Sequence, residues 1–319
     1  MITFNLSFKL NFNTKKNKVT TPTFSDFLEK TVIEIPTLLP QRRPATIKNY
    51  RTAIKSLRTF AQATSFMKQH ITAETLKKYE QWLHQQGISR NTSSAYIRSL
   101  RSLYNYIYPQ ESIEMFRSLF TGNTRTAKRA LDISSVHRLM TNRPSQYSPL
   151  RLWHDVFLFS IYALGMPFVD VAHLRWTDIQ GNFICYQRSK TGQKISVPIT
   201  HEMRNIMEHY RHQAADDLVF PILMSYDSPY QAYQQCLSRY NSALKHLMRR
   251  AQLSQNLTSY VARHTWASLA NAAGIPVSHI SQAMGHANLR TTQIYLADLS
   301  GDDIMKDSLA VVHLISADY

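Results

Sequence analysis

Three short segments near the C-terminal end of this 319-residue chain carry side chains that can act together on a phosphate ester. They are residues 260–266, 283–286 and 291–295, and they hold Tyr260 with Arg263, then His286, then Tyr295. Gly285 and the polar turn at 288–290 predict a break between two helices. Because this break lets the chain fold back on itself, we expect Arg263, His286 and Tyr295 to converge.

These residue types favour a tyrosine that acts as a nucleophile. A neutral phenol, with a pKa of about 10, is a weak nucleophile, and nearby cations favour the phenolate. The same cations stabilise the charge that develops on phosphate oxygens during phosphoryl transfer. Lys190, in a predicted hairpin turn at 188–193, can reach a leaving oxygen and donate a proton. Since the sequence offers no cluster of carboxylates for two metal ions, we predict metal-free attack of Tyr295 on a DNA phosphodiester.

The elements that must position these residues are mostly helices. Between residues 131 and 319 the sequence predicts one hairpin, with strands at 182–187 and 194–199. The predicted helices of this region are one capped by Ser134 and others at about 149–164, 200–213, 230–250, 259–272, 277–284, 291–298 and 303–316. Asp170 is either a buried partner of the active site or an acid at a helix N-terminus.

A strongly basic block precedes this region. Residues 41–130 hold 16 basic and 4 acidic residues, a net charge of +12, whereas residues 131–319 carry only +2. Apolar residues three or four positions apart predict a four-helix bundle, with a short helix at 24–33 and N-caps at Thr72 and Asn91. Six cations lie off the apolar stripes and are predicted to contact DNA phosphates: Arg51, Lys55, Arg58, Arg90, Arg98 and Arg101.

Length and composition agree with a two-domain DNA-binding protein. The predicted divisions are an N-terminal strand with a basic tail at 1–22, a helical DNA-binding domain at 23–112, a linker at 113–130 and a catalytic domain at 131–319. Hydrophobic residues make up 44% of the chain, and the formal net charge of +16 favours a polyanionic partner. The sequence contains no glycine-rich nucleotide-binding motif, no apolar run of transmembrane length and only two cysteines. We therefore expect a cytoplasmic protein.

The C-terminal segments resemble motifs of the tyrosine recombinase (phage integrase) family. Residues 284–286 (MGH) followed by 291–295 (TTQIY) are similar to the family motif LGH…TTxxY, and 263–265 (RHT) are similar to the end of HxLRHT. The resemblance covers residues 23–319. It implies a fold that is mainly α with a small β-sheet, in which a helical SAM-like core-binding bundle precedes an α/β catalytic domain.

The resemblance also implies a mechanism. Tyr295 forms a 3′-phosphotyrosyl bond and frees a 5′-hydroxyl, and neither ATP nor a metal is required, so no cofactor is expected. Arg263 binds the scissile phosphate, His286 orients or donates to it, and Lys190 is the general acid. A homotetramer acts on two DNA sites through a Holliday junction, and the last helix of each copy docks on a neighbouring copy.

Two positions depart from the family pattern. Pro167 stands where the family has its first arginine. Recombinases of the Bacteroides type look similar in this segment, so we expect this departure to be a trait of that subgroup. Tyr260 replaces a histidine three residues before the second arginine, and it keeps a hydroxyl donor. Arg175, Arg188 or a linker arginine could substitute for the missing arginine.

The leading hypothesis is a site-specific DNA recombinase that serves as the integrase of a mobile element. A DNA invertase or an Xer-like resolvase is the alternative within that class. The alternative outside that class is a DNA-binding protein that derives from a recombinase and whose catalysis is weakened or disabled by Pro167. The expected partners are double-stranded DNA, further copies of the chain, and an accessory DNA-bending or directionality protein.

Overall fold

The computed structural model describes residues 21–38, 40, 42–111, 113–124 and 130–285. Within these residues the chain is mainly helical with one small antiparallel sheet, which confirms the predicted fold class. It divides into two compact units, Met1–Arg125 and Thr126–Tyr319, and each described unit has its own hydrophobic core. No helix in the described part of the chain is long and apolar enough to cross a membrane.

The first unit is a bundle of four helices. They are α1 (Phe24–Leu38), α2 (Pro44–Ala63), α3 (Ala73–Gln85) and α4 (Arg90–Ile107), followed by a 3₁₀ turn at Glu114–Phe116. Helix α1 continues beyond the predicted end at residue 33, because Ile35 and Leu38 extend its buried face. Thr72 caps α3 as predicted, and its hydroxyl accepts a hydrogen bond from the backbone N–H of Thr75 at 3.2 Å.

Side chains of α4 fasten the following segment to this bundle. Ser89 caps α4, so the prediction of Asn91 as the cap is wrong. The Asn91 amide instead pairs with the backbone of Thr124, donating to its carbonyl at 2.9 Å and accepting from its N–H at 2.7 Å. Phe116 and Leu119 are buried in the same core. The first part of the predicted linker therefore packs with the first unit, while the domain boundaries assigned from sequence stay a prediction.

The second unit combines seven described helices with a three-stranded antiparallel sheet. The helices are α5 (Ile133–Thr141), α6 (Arg151–Tyr162), α7 (Phe168–Ala172), α8 (His201–Tyr210), α9 (Tyr230–Arg250), α10 (Val261–Ala272) and α11 (Val277–Ala283), with a 3₁₀ turn at Trp176–Asp178. The strands are β1 (Ile179–Gln180), β2 (Phe183–Gln187) and β3 (Lys194–Pro198), in the order β1-β2-β3. The predicted hairpin is β2 and β3, in which Tyr186 pairs with Ile195. The helices predicted at 291–298 and 303–316 lie outside the described residues.

Asp132, rather than Ser134, caps α5. Its carboxylate accepts a hydrogen bond from the backbone N–H of Ser135 at 2.7 Å. An ionised acid suits this position because the N-terminus of a helix is the positive end of its dipole. Ser134 donates to the same carboxylate at 2.9 Å, so it supports the cap without being the cap.

Helix α6 is the central helix of the second unit. Every residue from His154 to Ile161 is buried, and the helix packs against α8, α9 and α10. A helix buried on most sides needs a partner for each polar side chain that it carries inward. Ser160 meets this need by donating to the carbonyl of Met166 at 2.6 Å, a contact that closes the turn after α6.

Asp155 is the charged centre of this buried region. Its carboxylate accepts hydrogen bonds from Arg151 at 2.7 Å, from Arg143 at 3.1 and 3.2 Å and from Tyr210 at 3.1 Å, and it lies 3.0 Å from Nδ1 of His154. Burial opposes ionisation of this carboxylate, but its hydrogen bonds outweigh burial and hold the pKa of Asp155 well below its usual range. The ionised group ties α6 to the end of α8 and to the loop after α5.

Candidate active site

The turn between α6 and α7 brings a glycine against the backbone of Arg263. Leu164 and Gly165 have positive φ angles of 57° and 70°. A Cβ atom at position 165 would lie 3.0 Å from Cα of Arg263, so the close approach requires glycine. Pro167 then begins α7 as its N-cap residue, with no side-chain hydrogen bond to the helix. The turn therefore places Pro167 at the position where the family pattern has an arginine. What it contributes to the site is the carbonyl of Gly165 and the close contact of Gly165 with Arg263.

Arg263 is held at both ends of its guanidinium group. The side chain is 2% exposed on α10. Its Nη1 donates to the carbonyl of Gly165 at 3.0 Å, and its Nη2 donates to the carbonyl of Met284 at 2.5 Å. A guanidinium fixed in this way is oriented before any ligand arrives. Arg263, which was predicted as a site residue, is thus fixed between the end of α6 and the end of α11.

A second guanidinium converges on the same carbonyl. Arg188 follows β2 and is 6% exposed. Its Nη1 donates to the carbonyl oxygens of Met284 and Gly285, at 2.9 Å in each case. Arg188 and Arg263 therefore share the Met284 carbonyl as an acceptor. Two buried cations that meet at one point create a strong local preference for an anion, and their forked donors match phosphate oxygens.

Asp170 joins α7 to the hairpin turn beside these arginines. Its Oδ1 accepts a hydrogen bond from the backbone N–H of Ser189 at 3.0 Å, and its Oδ2 lies 3.9 Å from Nε of Arg188. The carboxylate is buried and belongs to the first turn of α7, so both alternatives drawn from the sequence apply. Burial raises the pKa of Tyr186 on the inward face of β2, and the nearby charge of Asp170 raises it further.

Lys190 lies on the tip of the same hairpin, and its side chain is exposed. The turn is closed by a hydrogen bond from the N–H of Arg188 to the carbonyl of Gln193 at 2.9 Å and by one from Gly192 to Arg188 at 2.8 Å. Ser189, held by Asp170, sits directly before Lys190. The lysine is therefore carried on a turn whose base is anchored to α7 and to the end of α11.

Tyr260 sits at the N-cap position of α10 and is 48% exposed. Its ring packs edge-on against His264, with 5.1 Å between the ring centroids. Although Tyr260 and Arg263 are three residues apart, the structure places the first at the surface and the second in the interior. His286 and Tyr295 lie outside the described residues, so the convergence predicted for them stays a prediction.

The other arginines considered as substitutes at Pro167 have different surroundings. The guanidinium carbon of Arg175 lies 3.3 Å from the ring centroid of Tyr226, which is a cation–π contact. Linker residues Arg125 and Arg129 lie outside the described residues. Among the candidates that the structure describes, Arg188 is the one that shares an acceptor with Arg263.

The two-residue alternation of β2 indicates that Arg188 points to the buried side of the sheet. Ile184 and Tyr186 are the inward residues of β2, and Arg188 continues their alternation one step past the strand. An arginine on the buried side of a strand pattern needs a buried acceptor. That signal could have distinguished Arg188 from Arg175 before the structure was known.

The cations of α2 and those of α4 have different surroundings in the first unit. On α2, Arg51, Lys55 and Arg58 are exposed and line a groove that runs beside α1. They are placed to meet a polyanion, and their assignment as DNA contacts stays a prediction.

The cations of α4 contact the segment that follows the bundle. Nη1 of Arg98 donates to the carbonyl of Thr121 at 3.1 Å and to Oδ1 of Asn123 at 3.2 Å. The guanidinium carbon of Arg90 lies 4.0 Å from the ring centroid of Phe120. Arg101 is half-buried. Two of the predicted phosphate ligands of α4 therefore also contact the chain at 120–123, and the assignment of Arg90, Arg98 and Arg101 as DNA contacts stays a prediction.

The described residues include no group of three or more His, Cys, Asp or Glu side chains placed to hold a metal ion. The described part of the site holds two buried guanidinium groups, one buried carboxylate, one exposed lysine and one half-exposed tyrosine.

Two family models match the chain. The model of the phage integrase family matches residues 129–300, and that of the phage integrase SAM-like domain matches residues 23–116. The first match spans Arg188, Arg263 and the carbonyl that they share.

Several known proteins are similar to this chain over most of their length. Tyrosine recombinase XerD of Listeria monocytogenes serotype 4b (strain F2365) is 23% identical over 261 residues, which cover 78% of this chain and 86% of that protein. Tyrosine recombinase XerD of Shewanella oneidensis (strain ATCC 700550 / JCM 31522 / CIP 106686 / LMG 19005 / NCIMB 14063 / MR-1) is 24% identical over 264 residues, which cover 78% of this chain and 85% of that protein.

Solved structures share the fold. The Tn1549 transposon integrase in complex with a circular intermediate DNA has a TM-score of 0.66 at 14% identity, covering 90% of this chain and 99% of that one. A lambda integrase tetramer bound to a Holliday junction has a TM-score of 0.63 at 14% identity, covering 88% and 79%.

Proposed function

The chain belongs to the phage integrase family of tyrosine recombinases, and on this premise we propose how its residues cleave and rejoin DNA. The protein is an enzyme of site-specific DNA recombination. The observation that carries this conclusion is the family match over residues 129–300. Within that match, two buried guanidinium groups converge on the carbonyl of Met284, two residues before His286.

Tyr295 is the proposed nucleophile. Its phenolate oxygen attacks the scissile phosphorus, which forms a 3′-phosphotyrosyl bond and breaks the bond from phosphorus to the 5′-oxygen. The leaving 5′-oxygen takes a proton from Nζ of Lys190, and His286 orients or donates to a phosphate oxygen. Attack by the 5′-hydroxyl of another strand then reverses these steps and rejoins the DNA. Each phosphodiester is exchanged for another, so the reaction requires no high-energy nucleotide.

Arg263 and Arg188 are the proposed ligands of the scissile phosphate. We assign Arg188 to the task of the arginine that Pro167 replaces. Support comes from its burial, from the acceptor that it shares with Arg263, and from its five N–H donors. Among the described residues, the hydrogen bonds of Arg188 through its side chain come from Nη1 alone, so its Nη2 group is available to a phosphate oxygen.

Asp170 and Tyr260 complete the proposed site. Asp170 is a positioning residue, because it binds the backbone of Ser189 directly before the lysine of the hairpin. Tyr260 offers a hydroxyl donor at the exposed edge of α10. Neither side chain carries the positive charge of the missing arginine. The negative charge of the phosphate is therefore stabilised by the guanidinium groups of Arg188 and Arg263.

We propose that the biological role is integration of a mobile element. The fold shared with a transposon integrase supports this role. The partner is double-stranded DNA, and we propose that four copies of the chain assemble on two DNA sites with the help of an accessory DNA-bending or directionality protein. We also propose a cytoplasmic location and membership of the Bacteroides-type subgroup, the latter on the basis of Pro167.

The experiment that tests the function is covalent trapping. Full-length protein first selects its binding sequence from a library of random duplexes, and the selected duplex is then nicked so that cleavage releases a short fragment and cannot be reversed. We expect the wild-type chain to accumulate a covalent DNA adduct, and Tyr295→Phe to bind the duplex equally well without forming one.

The matched control is Tyr147→Phe, because Tyr147 is 88% exposed and lies outside the proposed site. This variant should form the adduct at the wild-type rate. An adduct with Tyr295→Phe would show that the nucleophile is another residue. A wild-type chain that binds the selected duplex but forms no adduct would be the non-catalytic DNA-binding derivative.

A further inference from the structure

The end of α11 is the point at which the two arginines meet. The last carbonyls of a helix have no partner within the helix, and cations are favoured beside them. Here the carbonyl of Met284 accepts from both Arg188 and Arg263, and the carbonyl of Gly285 accepts from Arg188. The position of this turn therefore sets the direction of both guanidinium groups.

Gly285 allows the turn to lie against the hairpin. Its φ is +63°, and a Cβ atom there would lie 2.6 Å from Cδ1 of Ile195 and 3.1 Å from Cδ of Arg188. Ile195 is itself buried on β3, so its side chain has little room to withdraw. Any side chain at position 285 must push the turn away from the hairpin or displace the side chains of Ile195 and Arg188.

Gly274 provides the matching case without the contact. It follows α10 as Gly285 follows α11, and its φ is +77°. A Cβ atom at position 274 would have no heavy atom within 4 Å. Alanine at either position therefore meets the same kind of backbone strain, but only at 285 does it also disturb the arginines.

We propose that Gly285 is a positioning residue for the phosphate-binding arginines. By keeping the Met284 and Gly285 carbonyls in contact with the hairpin, it fixes the orientation in which Arg188 and Arg263 receive a phosphate group. This inference rests on the proposed function and adds to it the element that orients both cations. A displacement of about 1 Å in an active site can cost about 10²-fold in rate.

The first test compares Gly285→Ala with Gly274→Ala in the full chain. Single-turnover adduct formation is measured on the selected, nicked duplex, together with the affinity for that duplex. We expect cleavage by Gly285→Ala to be slower by about 10²-fold, while Gly274→Ala cleaves at nearly the wild-type rate. Both variants should bind the duplex normally, because the cations of the first unit are unchanged.

Trimming the opposing side chain should restore activity. Ile195→Val removes Cδ1, the atom closest to the added methyl group. We expect the double variant Ile195→Val/Gly285→Ala to cleave at least tenfold faster than the single variant Gly285→Ala. Backbone strain at the positive φ of position 285 would not be relieved by this change and would give no such recovery. Equal rates for the two glycine variants, or no recovery in the double variant, would overturn the proposal.

A second readout does not depend on cleavage. Inorganic phosphate is titrated into the full chain, and binding is followed by the width of its ³¹P resonance. We expect the wild type and Gly274→Ala to bind phosphate with similar affinity and Gly285→Ala to bind it about tenfold more weakly. If the wild type forms no adduct but this difference holds, the proposed function fails and the positioning role stands. Equal phosphate binding by both variants would refute the positioning role.

Discussion

Asp155→Ala removes a buried carboxylate on which four side chains of the second unit converge. The variant leaves the guanidinium groups of Arg143 and Arg151, the ring of His154 and the hydroxyl of Tyr210 without their shared acceptor. Removing one partner of a buried ion pair costs about 3–5 kcal/mol, because the remaining charge stays buried and unpaired. The side chain of Arg143 is 45% exposed and can turn to water, whereas that of Arg151 is 15% exposed and the other two are buried.

Thermal unfolding of the full chain, followed by circular dichroism, measures this loss. For a unit of this size, each 1 kcal/mol lowers Tm by about 2–4 °C, so the second unit should melt about 6–20 °C earlier. Glu208→Ala is the control, because it breaks an ion pair with Arg211 at 2.6 Å in which both side chains are about half exposed. Exposed pairs contribute about 0–1 kcal/mol, so this control should shift Tm by no more than about 4 °C.

The acid range provides a second check on the same residue. The pKa of Asp155 is lower in the folded state than in the unfolded chain, so the ionised carboxylate stabilises the fold fully above the unfolded value of about 3.9. That contribution is lost as the pH falls from there towards the folded pKa. The difference in Tm between the wild type and Asp155→Ala should therefore narrow below a pH of about 4. A shift in Tm no larger than that of Glu208→Ala at neutral pH would refute the reasoning.

Three further predictions concern catalysis, DNA contact and the stability of the first unit. Lys190→Ala should slow cleavage by about 10²–10⁴-fold. A substrate with a 5′-bridging phosphorothioate should restore much of the rate, because its thiolate leaves without a proton. If this substrate does not rescue the variant, Lys190 is not the general acid. In salt titrations of DNA binding, Arg51→Ala should reduce the slope of log K against log salt by about 0.9, and an unchanged slope would exclude a phosphate contact. Arg98→Ala should leave that slope unchanged and lower the stability of the first unit by about 1 kcal/mol, because it loses its bonds to residues 121–123.

The fold could be predicted because its signals are local. The apolar periods of α2, α3 and α4 and the alternation in β2 and β3 are visible over a few residues, and the structure confirms them. Predictions failed where neighbouring residues compete for one task. Asp132 and Ser134 both have cap-forming side chains, as do Ser89 and Asn91, and tertiary contacts decide between them. Asn91 is drawn away from the cap by the backbone of Thr124.

The site could be predicted only in part, because its decisive contacts join distant parts of the chain. Arg263 and Lys190 follow from the motifs, but the hydrogen bonds of Arg188 and Arg263 span 96 and 98 residues to reach Met284 and Gly165. No local pattern encodes a shared backbone acceptor. The same holds for Arg98 on α4. Its hydrogen-bond partners lie in a segment with the composition of a linker, so the sequence alone predicts only an exposed cation.

The contacts of Asn91 with Thr124 bear on where a fragment of the first unit should end if it is to fold alone. A fragment that ends at residue 112 lacks Phe116 and Leu119, and burying each such side chain is worth about 1.5–3 kcal/mol. It also loses the paired hydrogen bonds that close the chain onto α4. Since a domain of this size is stable by only about 5–15 kcal/mol, the shorter fragment would be substantially weakened. A fragment of the first unit that folds alone should therefore extend at least through Thr124, where the described contacts with α4 end.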